Sequence, residues 1–165
     1  MQLSDSLSRV VLMCGVSGSG KTFYARKLET EGYVRLSPDE LVWRRYGREV
    51  SEMPPDRQRS LFADAQEEVA QKLLEHISLG HKVVVDSTLC RRAKRDHLRA
   101  ICRERGVEPS LVYMKASLPV LRGRLSLRRG TGADDQIVAD DLLLTYFSNF
   151  QTPGPDESFF EMSQE

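Results

Sequence analysis

The chain has 165 residues, a formal net charge of zero, and 40% hydrophobic against 29% charged residues, the balance of one ordinary globular domain with room for a core under two layers of helices. Charge neutrality argues against a protein that coats nucleic acid by bulk electrostatics. The longest apolar runs, "VVLMCGV" and "KVVVDS", are far short of the roughly 20 residues needed to span a bilayer.

The N-terminal "MQLSDSLSR" lacks the basic-then-apolar pattern of an export signal. Cys14, Cys90 and Cys102 are odd in number, have no CxxC spacing and do not group with His76, His81 or His97. That pattern argues against a zinc site or a disulfide framework and fits inert thiols in a reducing cytoplasm.

Taken in chain order, residues 9–14 ("RVVLMC") read as a buried strand, and "KTFYARKLETEG" as a helix closed by Gly32. "YVRLS" is a short second strand. "PDELVWRRYG" is a short helix with Pro38 in its first turn and Gly47 after its end. A long helix follows Pro54 and Pro55 over about residues 57–79, with Leu61, Phe62, Ala65, Val69, Leu73 and Ile77 along one side. "KVVVDS" is uniformly apolar before its aspartate, as a central parallel strand should be. A helix over about 91–105, a strand over 110–115, a helix over 119–129 and a last helix over about 134–150 complete the pattern. Strand and helix alternation predicts parallel strands with right-handed crossovers: a three-layer α/β sandwich of four to five strands, helices on both faces. The expected domain is 1–152, with 153–165 a tail carrying one short edge strand near Phe159.

Between the first strand and the first helix lies "GVSGSGKT", Gly15 to Thr22. In a GxxxxGK[ST] loop successive backbone N–H groups form an anion nest backed by the N-terminus of the following helix. Gly15, Ser17, Gly18, Ser19 and Gly20 would make the cradle. Lys21 would reach the β- and γ-phosphates of ATP, and the Thr22 hydroxyl would ligate Mg²⁺. Asp86, after three valines in "VVVDST", sits where a second, metal-side carboxylate is needed. Asp86, Ser87 or Thr88 could instead cap a helix.

Motors and AAA machines need far more chain, and no NKxD-type guanine reader is present. A small kinase needs a base for the acceptor hydroxyl, a mobile lid bearing arginines, and a pocket between them. Asp39, in "VRLSPDEL" after the second strand, stands where ligands gather in parallel α/β folds and could take the acceptor's proton; a helix-start role suits it equally. In "LRGRLSLRRGTGADDQ" Arg124 and Arg128 lie at i and i+4 on the predicted helix, before a flexible "GTG". Two guanidinia on a hinged segment suit the spreading negative charge of a phosphoryl transition state.

With these pieces in place, the sequence resembles the P-loop kinases that include polynucleotide 5′-hydroxyl kinases, especially the kinase module of bacterial polynucleotide kinase-phosphatases, and more distantly zeta-toxin-like kinases. The resemblance covers about residues 9–150 and rests on "GVSGSGKT", "LSPDEL", "SLGHKVVVDST" and the RxxxR of "RLSLR". It implies that Lys21 and Thr22 bind ATP and Mg²⁺, that Asp39 is the general base, and that Arg124 and Arg128 are lid arginines on the phosphates. Arg95 matches a recurring family arginine. Two positions depart from the pattern. Val42 stands where an arginine tends to hold the acceptor-side phosphate, and Leu89 where the family tends to have asparagine. The expected activity is ATP- and Mg²⁺-dependent transfer to a hydroxyl, either a nucleic-acid 5′-hydroxyl or a hydroxyl of a metabolite, nucleoside or antibiotic. An ATP-binding regulator with little turnover is the rival of a different class.

Overall fold

The computed structural model describes residues 3–164. Its first strand, β1 (Val10–Cys14), is apolar throughout and fully buried on both faces. Alternate side chains feed two cores. Val10, Leu12 and Cys14 meet α3 (Pro55–Ser78) and α4 (Arg92–Glu104) through Leu73, Ile77, Leu98 and Cys102. Val11 and Met13 meet α1 (Lys21–Thr30) through Tyr24, Ala25 and Leu28. These are the three layers expected from the strand and helix alternation.

The sheet has five parallel strands. β1 is flanked by β3 (Lys82–Val85) and β4 (Ser110–Ala116), with β2 (Tyr33–Leu36) beyond β3 and β5 (Phe160–Gln164) beyond β4. The chain leaves β1 toward one edge and later crosses to the other, so a switch point opens at the carboxyl ends of the central strands, where α/β sheets bind ligands. On one side of that crevice α2 (Pro38–Tyr46) packs on α3 through Val42, Leu61 and Ala65. On the other stand α5 (Leu118–Leu125) and α6 (Asp140–Asn149), joined to the glycine loop by contacts among Val16, Leu121, Leu125 and Leu143.

Two expectations are corrected. α5 ends at Leu125, not near 129, and α6 begins at Asp140, not near 134. The cause is local hydrogen bonding that competes with helix. The Asp135 carboxylate accepts the N–H groups of Arg129 and Thr131 and the Thr131 hydroxyl, and Gly130 N–H donates to the Asp135 carbonyl. Arg128 therefore lies on a loop, and Arg124 and Arg128 do not share a helix face. The short edge strand expected near Phe159 is present as β5, which continues the sheet beside β4, and Glu157 just before it is buried.

Cys14 and Cys102 are buried, and burial pushes their thiols up to about 12 and about 11, the chemistry of inert cysteines. Among the described residues no helix is long and apolar enough to cross a membrane.

Candidate active site

Steric limits shape the loop after β1. A Cβ on Gly15 would come 2.6 Å from Ser19 Oγ and 2.8 Å from the Met114 carbonyl oxygen of β4, so only glycine lets the loop close on the sheet. Gly20 caps α1 with φ 96° and ψ 11°, a left-handed conformation that glycine adopts without strain. The turn exposes the first N–H groups of α1, which have no partner within the helix. An anion presented there meets donors and the positive end of the helix dipole.

Lys21 is the first residue of α1 and is buried, its Nζ donating to the Val16 carbonyl at 3.1 Å. Burial lowers its pKa, while the charges of Asp86 and Asp39 resist that shift. Thr22 Oγ1 donates to Asp86 Oδ2 at 2.9 Å. Asp86 directly follows β3 and is held by its N–H to the Leu36 carbonyl at 2.8 Å. The helix after it, α4, has Arg91 at its cap position. Asp86 therefore does not cap α4.

Asp39 stands in the first turn of α2, the helix-start place expected of it, but it is not the cap. Ser37 caps α2, its hydroxyl accepting from Glu40 N–H at 3.2 Å. The Asp39 carboxylate has no hydrogen-bond partner among the described residues and faces the crevice. Crowding by protein raises its pKa to about 6, with Lys21, Arg128 and Arg35 pulling it down and Asp86 pushing it up. Solvent reaches the carboxylate in the open crevice and offsets part of that push.

One cavity of about 630 Å³ is lined by Lys21, Thr22, Asp39, Asp86, Arg124 and Arg128, together with Ser17, Gly18 and Gly20. Nine of the eleven sequence-predicted site residues thus converge on a single space. The other two frame the loop from behind: Gly15 is buried against β4, and Ser19 is fully buried with its N–H on the Val16 carbonyl. Arg124 donates to the Gly18 carbonyl at 3.1 Å. Arg128 is half-buried, donates to the Gln136 carbonyl at 3.3 Å, and has its pKa lowered by burial against the pull of Asp135 and Asp39. The loop that carries it is tied down on two sides, by Arg48 Nε donating to the Gly130 carbonyl at 2.7 Å and by Arg26–Asp134 at 3.6 Å.

The donor set suits the expected ligands. Open helix N–H groups and Lys21 suit a polyphosphate; a hydroxyl and a carboxylate oxygen suit a hard cation such as Mg²⁺. Only Oδ2 of Asp86 is engaged by protein. Oδ1 has no hydrogen-bond partner among the described residues, which leaves it for the ion or its water.

Sequence reasoning missed Arg35, whose side chain is 7% exposed and whose guanidinium donates to Asp86 Oδ2 at 2.9 Å. The available signal was an arginine inside the otherwise apolar strand "YVRL". Arg95 is fully buried and lies away from the cavity. It makes a two-pronged pair with Glu157 at 2.9 and 3.0 Å and donates to the Leu89 carbonyl at 2.9 Å. Leu89 is buried at φ 42°, a left-handed conformation that asparagine adopts more readily than leucine. Val42 is 3% exposed in the α2–α3 core. Arg44 and Arg45 pair with Glu40 and Glu68, and neither lines the cavity.

A family model described as AAA domain matches residues 10–153. The chain is 28% identical over 163 residues to the thermoresistant gluconokinase of Escherichia coli (strain K12), covering 96% of this chain and 85% of that one. Its fold is similar to a gluconokinase from Sinorhizobium meliloti 1021 (TM-score 0.63, 22% identity, 93% and 81% of the two chains). It is likewise similar to a chain of the Pnkp1/Rnl/Hen1 RNA repair complex (TM-score 0.67, 17% identity, 85% of this chain and 43% of that one). With the model matched across almost all of its length, the chain belongs to the AAA domain family of P-loop proteins.

Proposed function

We propose that the protein is an ATP- and Mg²⁺-dependent kinase whose phosphoryl acceptor is an alcohol group of a small hydroxylated molecule. The observation that carries the reading is the placement of Asp39, uncapping and unpaired, across one cavity from Lys21, Thr22 and Asp86. A protein that only binds nucleotide has no use for a free carboxylate facing the terminal phosphate.

In this reading the open N–H groups of α1 and the Lys21 ammonium hold the polyphosphate, and Thr22 and Asp86 hold the ion. Mg²⁺, when bound, neutralises charge on the β- and γ-phosphates. Asp39 takes the proton of the acceptor hydroxyl as the new O–P bond forms; a pKa raised toward neutrality suits a base at physiological pH. Arg124 and Arg128 meet the charge that spreads over the transferring group, and the tethered loop excludes water. Catalysis is positioning and electrostatics, with no covalent intermediate on the protein.

The acceptor side favours a small molecule over a nucleic-acid 5′ end. At the position where polynucleotide kinases tend to place a phosphate-binding arginine, Val42 is buried, and the nearby Arg44 and Arg45 are engaged with carboxylates outside the cavity. Hydroxyl-bearing Ser87 and Thr88 line the wall beside Asp39 and Asp86, the kind of partners a polyol accepts. The gluconokinases similar to this chain support the same choice.

The test is incubation with γ-labelled ATP and three acceptor sets: sugars and sugar acids, nucleosides, and 5′-hydroxyl oligonucleotides. Label in the first set is the expected result. Label only in oligonucleotides would replace the acceptor class and keep the kinase. Nucleotide binding without transfer to any set would leave a regulator.

A further inference from the structure

We propose that Arg35 is a positioning residue for the phosphate half of the site, fixing Asp86 so that one carboxylate oxygen braces the glycine loop and the other faces the cavity. This rests on the reading of Asp86 as the metal-side carboxylate.

The geometry begins with strand register. Arg35 of β2 pairs with Val84 of β3, so alternation puts Arg35, Val84 and Asp86 on one face of the sheet, the face that α1 covers. Diagonal neighbours two residues on are within reach of a long side chain. An arginine at this point can therefore contact the carboxylate just past the end of the next strand. It does so at 2.9 Å, through a guanidinium held in turn by Glu29 of α1 and Glu40 of α2, each at 3.6 Å. One side chain thus ties β2, α1 and α2 to the strand-end carboxylate.

Two features separate positioning from plain packing. The Thr22 hydroxyl and Arg35 converge on the same oxygen, Oδ2, both at 2.9 Å. That leaves Oδ1 without a hydrogen-bond partner among the described residues, on a side chain that lines the cavity. Arg35 itself is not a cavity-lining residue, and its side-chain hydrogen bond to the site is the one to Asp86. Its guanidinium also gives a charged partner to a carboxylate that is only 4% exposed.

Outer partners of a metal site commonly contribute about 10- to 100-fold to metal affinity. The experiment is calorimetric titration of ADP into wild type, Arg35→Met and Arg35→Lys, each with Mg²⁺ and with EDTA, beside thermal unfolding. Arg35→Met should lose about tenfold in affinity for ADP with Mg²⁺ while changing less than about twofold in EDTA. Arg35→Lys, which keeps the charge but not the fork, should recover part of the loss. If Arg35→Met does not fold, Arg35→Lys decides alone, with a loss confined to the Mg²⁺ titration expected. Equal losses with and without Mg²⁺, or no loss in a folded variant, would overturn the proposal. A wild type whose ADP affinity ignores Mg²⁺ would instead overturn the metal reading of Asp86.

Discussion

Two buried arginine–carboxylate pairs are built from the same groups and left in different states. Glu157 is saturated: Arg95 Nε and an Arg95 terminal nitrogen reach its two oxygens at 2.9 and 3.0 Å, Arg99 lies 2.9 Å from Oε1, and Gly154 N–H donates to Oε2 at 2.9 Å. Asp86 is half-satisfied, with two donors on one oxygen and none on the other among the described residues. A carboxylate whose capacity is used up by protein is a fastener. One with an oxygen left without a protein partner, on a side chain that lines a cavity, has capacity for another partner. That difference separates the front of the molecule, where chemistry is proposed, from the back, where the C-terminal segment is clasped to α4.

If the front is a phosphoryl-transfer site, the largest effect should come from Lys21→Ala. ADP binding should weaken by at least about tenfold, and transfer should fall by about 10³-fold or more, the upper range for removing one preorganised charge donor. Thermal stability should change little, because the lysine is a buried charge whose loss relieves desolvation. Unchanged affinity and turnover would move the site elsewhere.

Asp39→Asn should be next. The amide keeps the shape and can still hydrogen-bond an acceptor, but it cannot take a proton. General-base catalysis contributes about 10²–10⁴-fold, so transfer should drop by that factor while calorimetric ADP affinity stays within about twofold. Full activity would reduce Asp39 to a helix-start residue, although Ser37 already fills that place.

The clasp should answer in the opposite way. Glu157→Gln leaves Arg95 and Arg99 buried beside a neutral partner, and breaking a buried ion pair typically costs about 3–5 kcal/mol. Chemical denaturation should register that loss, while kcat per folded molecule should change less than about twofold. A large kcat loss at unchanged stability would show that the clasp reaches the cavity through the Arg95 bond to the Leu89 carbonyl.

The front was legible in the sequence because its chemistry is local. Gly15 to Thr22 is one contiguous loop, and Asp39 and Asp86 follow strands whose apolar runs mark their own ends. The back was not. Glu157 lies 62 residues from Arg95, and nothing in "TPGPDESFF" marks which glutamate will be buried. The same limit hid Arg35, whose meaning depends on β2 lying beside β3 rather than β1. The i, i+4 spacing of Arg124 and Arg128 was legible but misleading. The helix that would have aligned them ends at Leu125, because the Asp135 carboxylate collects backbone N–H groups from the following turn. Both arginines still reach the cavity, Arg124 from the last turn of α5 and Arg128 from the loop that follows it.

The smallest effects, and the sharpest separation of front from back, should come from pH. Asp39 has its pKa raised to about 6 from an ordinary 3.8 by protein crowding around a carboxylate that solvent still reaches, with Lys21 as the largest opposing influence. A base must be ionised, so kcat/KM should climb as pH rises through about 6 and level off above it. For folding the sign is reversed. A carboxyl whose folded pKa lies above its unfolded value favours the folded state while protonated, and that contribution is lost as pH rises from 3.8 through about 6. Glu157 runs the other way: its pKa is lowered to about 2 from 4.5, chiefly by the hydrogen bond from Arg95. Its contribution is therefore present above 4.5 and lost as pH falls toward about 2. Between pH 5 and 7 the clasp should be constant while the site titrates. Paired profiles of kcat/KM and of thermal midpoint against pH for wild type, Asp39→Asn and Glu157→Gln would check this. Asp39→Asn should erase the inflection near 6 in the residual activity, and Glu157→Gln should keep it while flattening the acid loss of stability. An inflection near 6 that survives in Asp39→Asn would assign the base to another group.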